Sequence, residues 1–221
     1  MKPIKKTEEY KVKKNNDNLL LISGVFITSL LIANVVAGKV VDIYGLIVPA
    51  AVVAYGITFL CTDVVGEIWG KEQANKLVKI GLITQLISLT LILLALKLPA
   101  AVFAIEYTES FNIVLGQSAR MIIASLIAYS ISQLNDVLIF HKLKEATKGN
   151  KKWLRNNLST LVSQLIDTAI FITIAFYGIV PNLLLMIVSQ YIVKSIIALL
   201  DTPIFYFLTR ENKQLKNVLS K

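Results

Sequence analysis

The stretch ARMIIASLIAYSISQLNDVLIF, residues 119–140, is apolar along most of its length and ends in the polar string SQLNDVLIF, residues 132–140. The string returns 31 residues later as SQLIDTAIF, residues 163–171, with Ser, Gln, Leu, Asp, Ile and Phe in the same register. A weaker echo, DTPIF, stands at residues 201–205. Each copy lies in an apolar run long enough to cross a bilayer, where a carboxylate is costly. The repetition therefore predicts a polar site inside a membrane protein.

The composition also indicates an integral membrane protein. The chain has 221 residues, of which 55% are hydrophobic and only 17% charged, and its mean hydropathy is +0.66. This is too apolar for an ordinary soluble domain. Because a spanning helix needs about 20 mostly apolar residues, six windows qualify: residues 19–38, 46–65, 77–97, 119–140, 158–178 and 182–208. The sequence therefore predicts an all-α, polytopic membrane bundle of six transmembrane helices.

The basic residues predict the orientation of this bundle. The formal net charge is +9, and 19 of the 23 Lys and Arg residues lie in residues 2–14, 71–79, 142–155 and 210–221. In a six-helix chain these are the N-terminus, the loops after helices two and four, and the C-terminus, which share one side. Because positively charged segments stay inside, we expect both termini in the cytoplasm. The excess of basic over acidic residues indicates attraction to anionic lipid and not nucleic-acid binding.

The same pattern predicts three regions of the chain. A cytoplasmic basic tail at residues 1–18 precedes a transmembrane domain at residues 19–208, and a second cytoplasmic basic tail follows at residues 209–221. The expected location is the cell (inner) membrane, with multiple passes through the bilayer.

The connections on the outer side are predicted to be short, with one exception. Residues 38–45 are expected to form a turn, and Pro49 to lie in the first turn of helix two, where a missing N–H is harmless. The exception is an outer loop at residues 98–118. Its Phe103, Tyr107 and Phe111 are spaced as on one face of a short interfacial helix. We interpret this face as an aromatic anchor at the headgroups or as a lid over an outward opening.

Polar residues form one face on each of three predicted helices. Residues three or four apart share a face of a helix, and a polar face on an apolar helix must point to the bundle interior or to water. The faces are Ser132, Gln133 and Asp136 on helix four, Ser163, Gln164 and Asp167 on helix five, and Gln190, Lys194 and Asp201 on helix six.

The predicted topology brings these faces to one depth, near the cytoplasmic side, because helix four runs inward and helix five outward. Asp63 of helix two, with Glu67 one turn later, Gln85 of helix three and Asp201 fall in the same half. Four aspartates facing lipid would cost on the order of 10 kcal/mol, so they must be hydrated, paired or protonated. We predict a polar substrate site there. The alternative is that these groups only tie helices together, and Asn34 of helix one fits either role.

A Gln beside an Asp suits a ligand with adjacent hydrogen-bond donors and an acceptor. The guanine-type edge is one such group, because a carboxylate accepts from its N–H donors while an amide or Lys194 donates to its carbonyl. Amino acids, other cations and vitamins also fit. Catalysis has less support, since His141 and Cys61 are the single His and Cys of the chain, too few for a metal site of the usual kind. An intramembrane dyad of Asp136 and Asp167 is the remaining enzymatic option, and no cofactor is expected.

Four strings, in order along the chain, resemble a known family. They are AN-x4-K from Ala33, TDVVGEIWGK at residues 62–71, AS-x2-AY-x2-SQ-x2-D at residues 124–136 and WLRNNLSTLVSQLIDTAIF at residues 153–171. The chain thereby resembles the queuosine-precursor transporters, also called the VUT family of vitamin-uptake-like proteins. The last string is the most specific of the four.

The resemblance implies a six-helix inner-membrane importer of 7-deazaguanines such as preQ0 and preQ1, or of queuine, for tRNA modification. It also implies site roles at the matching positions, which are Asn34, Asp63, Glu67, Ser132, Gln133, Asp136, Ser163, Gln164 and Asp167. The expected partners are this substrate and the lipid bilayer, and a homo-oligomer is left open. A stand-alone secondary transporter is one arrangement. The other is the substrate-binding subunit of an energy-coupling-factor transporter, which would need an energising module.

Overall fold

Six long helices and a β-hairpin make up the part of the chain that the structure describes. The computed structural model describes the backbone of residues 3–146 and 152–219, and the side chains of residues 16–135, 138–139, 142 and 161–209. The elements in chain order are α1 (Pro3–Val36), β1 (Val40–Ile43), β2 (Leu46–Pro49), α2 (Val52–Trp69), α3 (Lys71–Lys97), a 3₁₀ turn (Val102–Ala104), α4 (Ile105–Ala146), α5 (Lys152–Phe176) and α6 (Leu183–Leu219). The helical class predicted from the sequence is confirmed, and the hairpin is added to it.

The helices have the length and composition of membrane spans. Among the described side chains, five helical stretches are long and apolar enough to cross a bilayer: Asn16–Val36, Val52–Trp69, Lys71–Lys97, Val102–Asn135 and Leu183–Thr209. A shorter apolar stretch, Leu161–Phe176, belongs to α5. Large hydrophobic side chains such as Leu91, Leu199 and Phe207 are exposed, as expected for a surface that faces lipid. The chain is a multi-pass membrane protein.

The residues group into two compact units. The first unit contains the chain up to Ala33, Val53–Gln85 and the chain from Ile196, and the second contains Asn34–Val52 and Leu86–Ser195. In the first unit, α1, α2 and α3 share a core of buried side chains, namely Phe26, Cys61, Val65 and Leu77, with Leu30, Trp69 and Ala74 packed against it.

A single residue joins α2 to α3 in the first unit. Gly70 has φ +90°, which glycine adopts with little strain, and its carbonyl accepts a hydrogen bond from the Ala74 N–H at 3.2 Å. The helix α3 therefore begins at Lys71. The prediction of a loop at residues 71–79 is wrong, because these residues form the first turns of α3, where Lys76 Nζ lies 2.9 Å from Glu72 Oε1.

The β-hairpin of the second unit occupies the connection between α1 and α2. Its turn residues, Tyr44 (φ 53°) and Gly45 (φ 84°), both have positive φ, as a two-residue type I′ turn requires. The Asp42 carboxylate accepts a hydrogen bond from the Gly45 N–H at 2.7 Å. The β-branched residues on both sides of the turn favour strands, so the connection is a hairpin where a plain turn was predicted.

Helix boundaries differ from the predictions at several places, and α6 continues to Leu219, beyond the predicted window at residues 182–208. Pro49 ends β2 and α2 begins at Val52, so Pro49 does not lie in the first turn of a helix. The helix α1 begins at Pro3 instead of residue 19, which makes the polar segment before the first apolar run part of the same helix. Most of residues 98–118, predicted as a loop, belong to α4, which begins at Ile105. Hydropathy locates the apolar part of a helix and misses its polar extension.

The aromatic residues of that predicted loop are exposed, but they do not form a separate interfacial helix. Phe103 lies in the 3₁₀ turn, while Tyr107 and Phe111 lie on the first turns of α4. Tyr107 and Phe111 are therefore part of the beginning of a long helix, with Phe103 just before it.

The helices α4 and α5 pack against each other in the second unit. Arg120, in the first half of α4, donates from Nε to the carbonyl of Ile174 (2.9 Å) and from Nη2 to that of Tyr177 (2.7 Å). Ile174 lies in the last turn of α5 and Tyr177 directly follows it, where carbonyl groups lack N–H partners from the helix. Because the first half of α4 meets the end of α5, the two helices are antiparallel, and Arg120 fixes their register.

Many Ser and Thr hydroxyls on these helices bond to their own backbone. Each of the following donates to a carbonyl three or four residues earlier: Thr62, Thr84, Thr90, Ser130, Thr173, Ser195, Thr202 and Thr209. Such a bond satisfies the hydroxyl donor without any partner from another helix. These residues can therefore face lipid at little cost.

Candidate functional site

An ion pair lies in the apolar part of the second unit. Lys194, in the middle of the apolar stretch of α6, has its Nζ 3.3 Å from Asp167 Oδ2 and 3.1 Å from Thr168 Oγ1 on α5. The Lys194 side chain is 12% exposed and that of Asp167 is 32% exposed, while Thr168 is buried. A lone Lys or Asp at mid-membrane costs about 2.5–3.5 kcal/mol, so each charge stabilises the other. The structure thereby brings together two residues that the sequence predicts for the site.

The two copies of the repeated motif lie on the packed helices α4 and α5. Arg120 meets Ile174, Ser132 follows Arg120 by 12 residues, and Ser163 precedes Ile174 by 11 residues. Since antiparallel helices advance in opposite directions by about 1.5 Å per residue, both serines lie roughly 17 Å from that contact. The Ser–Gln ends of the two copies are therefore level with each other.

The same register separates the aspartates of the two copies. Moving on from the level serines, α4 reaches Asp136 in one direction and α5 reaches Asp167 in the other. Their backbones are then roughly 12 Å apart along the helix axes. The two copies therefore share one Ser–Gln level, and the backbone positions of the two aspartates lie on opposite sides of it.

The motif residues differ in exposure. Ser132 and Ser163 are buried, and the Ser132 hydroxyl donates to the carbonyl three residues earlier at 3.1 Å. Gln133 and Gln164 are exposed. The side chain of Asp136 lies outside the described residues. Of the six motif residues, Asp167 is therefore the one whose contacts point most directly to a charged site.

Other polar side chains are buried in the second unit without belonging to the repeat. Asn34, near the end of α1, is 1% exposed. Gln190 of α6 is also 1% exposed, and among the described residues neither of its amide atoms has a hydrogen-bond partner. The hydroxyl of the buried Ser189 also has no hydrogen-bond partner among the described residues. A buried polar group left without a partner costs about 1–3 kcal/mol, so this part of α6 needs an explanation.

Four predicted site residues belong to the first unit. Gln85 of α3 is buried, Asp63 and Glu67 of α2 are exposed, and Asp201 of α6 is half-buried. The carboxylates of Asp63 and Asp201 are close enough for their charges to interact. Asp201 also lies beside α2, since a Cβ added at Gly56 would stand 3.9 Å from its Oδ2. The structure thus brings Asp63 and Asp201 together.

The polar groups of the second unit suit reversible binding of a small polar molecule. They supply an ammonium group at Lys194, a carboxylate at Asp167, a hydroxyl at Thr168 and an amide at Gln190, which together donate and accept hydrogen bonds. Within the ranges whose side chains are described, no group of three or more His, Cys, Asp or Glu residues is arranged to hold a metal ion.

Two residues of this arrangement are missing from the site predicted from sequence. Gln190 stands on the predicted polar face of helix six, but its complete burial is not visible in the sequence. Thr168 directly follows Asp167, and only the pairing of α5 with α6 shows that its hydroxyl reaches Lys194. The one sequence signal that could have indicated Thr168 is its position directly after a repeated aspartate.

Comparison with known proteins shows which family the chain is similar to. The family model described as "Putative vitamin uptake transporter" matches residues 49–208. A Bacillus subtilis protein named "Probable queuosine precursor transporter" is 33% identical over 177 residues, which are 79% of this chain and 77% of that protein.

Two further relatives match over shorter stretches. A Haemophilus influenzae protein of the same name is 29% identical over 119 residues, or 54% of this chain and 48% of the relative. The Escherichia coli "Queuosine precursor transporter" is 27% identical over 124 residues, or 56% of this chain and 53% of the relative. No solved structure matches this chain.

Proposed function

The chain belongs to the vitamin uptake transporter family, and from this membership we propose that it imports queuosine precursors. Its relatives are named as transporters, and the chain is likewise a transporter and not an enzyme. The proposed substrates are 7-deazaguanines such as preQ0 and preQ1, or queuine, which serve tRNA modification. The names of the three relatives support this class of substrate.

The observation that carries the proposal is the Asp167–Lys194 pair beside Thr168. A 7-deazaguanine presents N–H donors next to a carbonyl acceptor on one planar edge. A carboxylate accepts from such donors, and an ammonium group donates to the carbonyl. Because the Asp167 side chain is 32% exposed, its carboxylate is accessible to a ligand while Lys194 balances its charge. We assign these two groups to the substrate edge.

The other candidate residues are proposed to line the transport path. They belong to the repeated motif, the matching family strings or the polar face of helix six, except Gln85, which is a buried amide of α3. They are Asn34, Asp63, Glu67, Gln85, Ser132, Gln133, Asp136, Ser163, Gln164 and Asp201.

We further propose six transmembrane passes in the cell (inner) membrane, with both termini in the cytoplasm. The four clusters of basic residues support this orientation. The proposed mode is stand-alone secondary transport.

Complementation tests the substrate. Cells that cannot make queuosine and cannot take up its precursors would express the chain and receive preQ0, preQ1 or queuine, one at a time. We expect queuosine in tRNA with at least one of them. A matched culture expressing the Asp167→Ala chain should lack it at equal membrane abundance. Absence of queuosine with the unmodified chain under all three feeds would reject the proposed function.

A second experiment separates the two transport arrangements. The same cells would also lack the shared energising module of energy-coupling-factor transporters. Continued uptake supports the stand-alone arrangement, and loss of uptake supports the dependent subunit. An uncoupler added to cells that still transport then shows whether a proton gradient drives accumulation.

A further inference from the structure

Gln190 is a buried amide that has no hydrogen-bond partner among the residues whose side chains are described. Its side chain is 1% exposed, and within the described residues both Nε2 and Oε1 lack a hydrogen bond. A primary amide in such surroundings loses its bonds to water and gains nothing in return. A group of this kind needs either a structural partner or a ligand.

The position of Gln190 on α6 connects it to the ion pair. It precedes Lys194 by four residues, so the two side chains leave the same face of the helix. That face is turned towards α5, because Lys194 bonds to Asp167 and Thr168. Gln190 therefore stands one turn of helix from the proposed substrate groups.

Two groups of α5 meet this face of α6 at Lys194. Asp167 and Thr168 both bond to the Lys194 ammonium group, and among the described residues neither of them bonds to the Gln190 amide. The α5 groups beside Lys194 therefore leave the amide of Gln190 to another partner.

We infer that Gln190 is a substrate-binding residue that pairs through both amide atoms with the lactam edge of a 7-deazaguanine. Nε2 donates to the ring carbonyl and Oε1 accepts from the neighbouring ring N–H, which is the arrangement that complements a primary amide. Asp167 then accepts from the exocyclic amino group with Lys194 as its counter-ion, so that Gln190, in place of the ammonium group, donates to the carbonyl. The inference rests on the proposed function and adds to it the residue that binds the carbonyl and N–H of the lactam.

The test combines a change in the protein with a change in the ligand. Gln190→Leu and Gln190→Met keep the approximate size of the side chain and remove the amide. Uptake of labelled preQ1 is measured in the complementation cells, with 7-deazaguanine or 2-amino-7-deazapurine as competitor. The second competitor keeps the ring and the amino group but lacks the lactam carbonyl and its N–H. Gln73→Leu, a Gln at the start of α3, is the matched control.

We expect the Gln190 variants to reach the membrane in normal amounts and to lose at least tenfold in preQ1 uptake. In the unmodified chain, 7-deazaguanine should compete at least tenfold better than 2-amino-7-deazapurine. In a Gln190 variant this ratio should fall to about threefold or less, because the amide that distinguishes the two ligands is gone. Gln73→Leu should keep both the uptake and the ratio.

Two outcomes would overturn the inference while leaving the proposed function intact. One is preQ1 uptake and a competitor ratio in the Gln190 variants equal to those of the unmodified chain. The other is failure of both variants to reach the membrane, which would make the amide a structural group. If the unmodified chain itself takes up none of the precursors, the proposed function fails, and the inference fails with it.

Discussion

Lys194 of α6 is more deeply buried than its partner Asp167 of α5, although their charged atoms lie only 3.3 Å apart. The Lys194 side chain is 12% exposed and the Asp167 side chain 32%. The ammonium group also bonds to Thr168, at 3.1 Å. The lysine is therefore held by α5, and the carboxylate is the accessible member of the pair. Such an arrangement lets the carboxylate take a second ligand without losing its balancing charge.

The contributions of Lys194 and Asp167 to the stability of the fold should be coupled. Lys194→Met or Asp167→Asn alone leaves one charge uncompensated in an apolar surrounding. We expect each to lower stability by about 1–3 kcal/mol, less than the loss for a fully buried pair because Asp167 is partly exposed. The double variant should lose less than the sum of the two. Thermal unfolding of the four proteins in detergent measures the coupling, and strictly additive losses would contradict it.

Both aspartates of the repeated motif should be required for transport. Asp136→Ala and Asp167→Ala are each expected to reduce precursor uptake at least tenfold while the protein stays in the membrane. The matched control is Glu106→Ala, an exposed carboxylate in the first turn of α4, which should transport normally. Uptake is measured with labelled precursor at equal membrane abundance. Normal uptake by both aspartate variants would remove the repeat from the site.

Gly56 should tolerate no larger residue, because α2 and α6 approach closely in the first unit. A Cβ at Gly56 would lie 2.7 Å from Cγ2 of Ile197, a branched side chain with little freedom to move. We expect Gly56→Ala to lower stability by about 1–3 kcal/mol. Gly24→Ala is the control, since no atom lies within 4 Å of the added methyl group and the helix should be unchanged or slightly stabilised. Equal melting temperatures for the two variants would refute the close approach.

Arg120 should stabilise the end of α5 without taking part in transport. Arg120→Gln removes two hydrogen bonds to carbonyl groups, so we expect a loss of about 1–3 kcal/mol and faster hydrogen exchange around residues 174–180. Lys97→Gln removes the same charge from the end of α3 and serves as the control. Transport at a permissive temperature should persist in both. An unchanged exchange rate in Arg120→Gln would show that the cap is not needed.

The sequence predicts the helices of this chain well and its connections less well. Apolar runs such as the one in α6 identify a span because length and hydropathy suffice for that. They do not show that α4 starts at Ile105, since the polar residues before the apolar run interrupt the hydropathy without interrupting the helix. The hairpin around Tyr44 and Gly45 depends on a local turn with positive φ at both residues, which a search for helices does not look for.

The residues of the candidate site can be predicted from the sequence in part, but their contacts cannot. Asp167 and Lys194 can be selected from sequence, because charges within apolar runs are rare and need partners. Their pairing with each other, and with Thr168, depends on how α5 and α6 pack, which no repeat or spacing reveals. The complete burial of Gln190 is likewise a property of the packed helices.

The hydroxyls that bond to their own helix also bear on how this chain can change over time. Thr90, Thr173, Ser195 and Thr202 have their donors satisfied by a carbonyl four residues earlier. Exchange of such a residue for alanine or valine removes the hydroxyl donor together with the hydrogen bond that it makes, and no other residue loses a partner. Such an exchange should therefore change stability and activity little. These positions are free to drift between polar and apolar residues. Invariance at a polar position of the bundle should therefore mark the few groups that reach beyond their own helix.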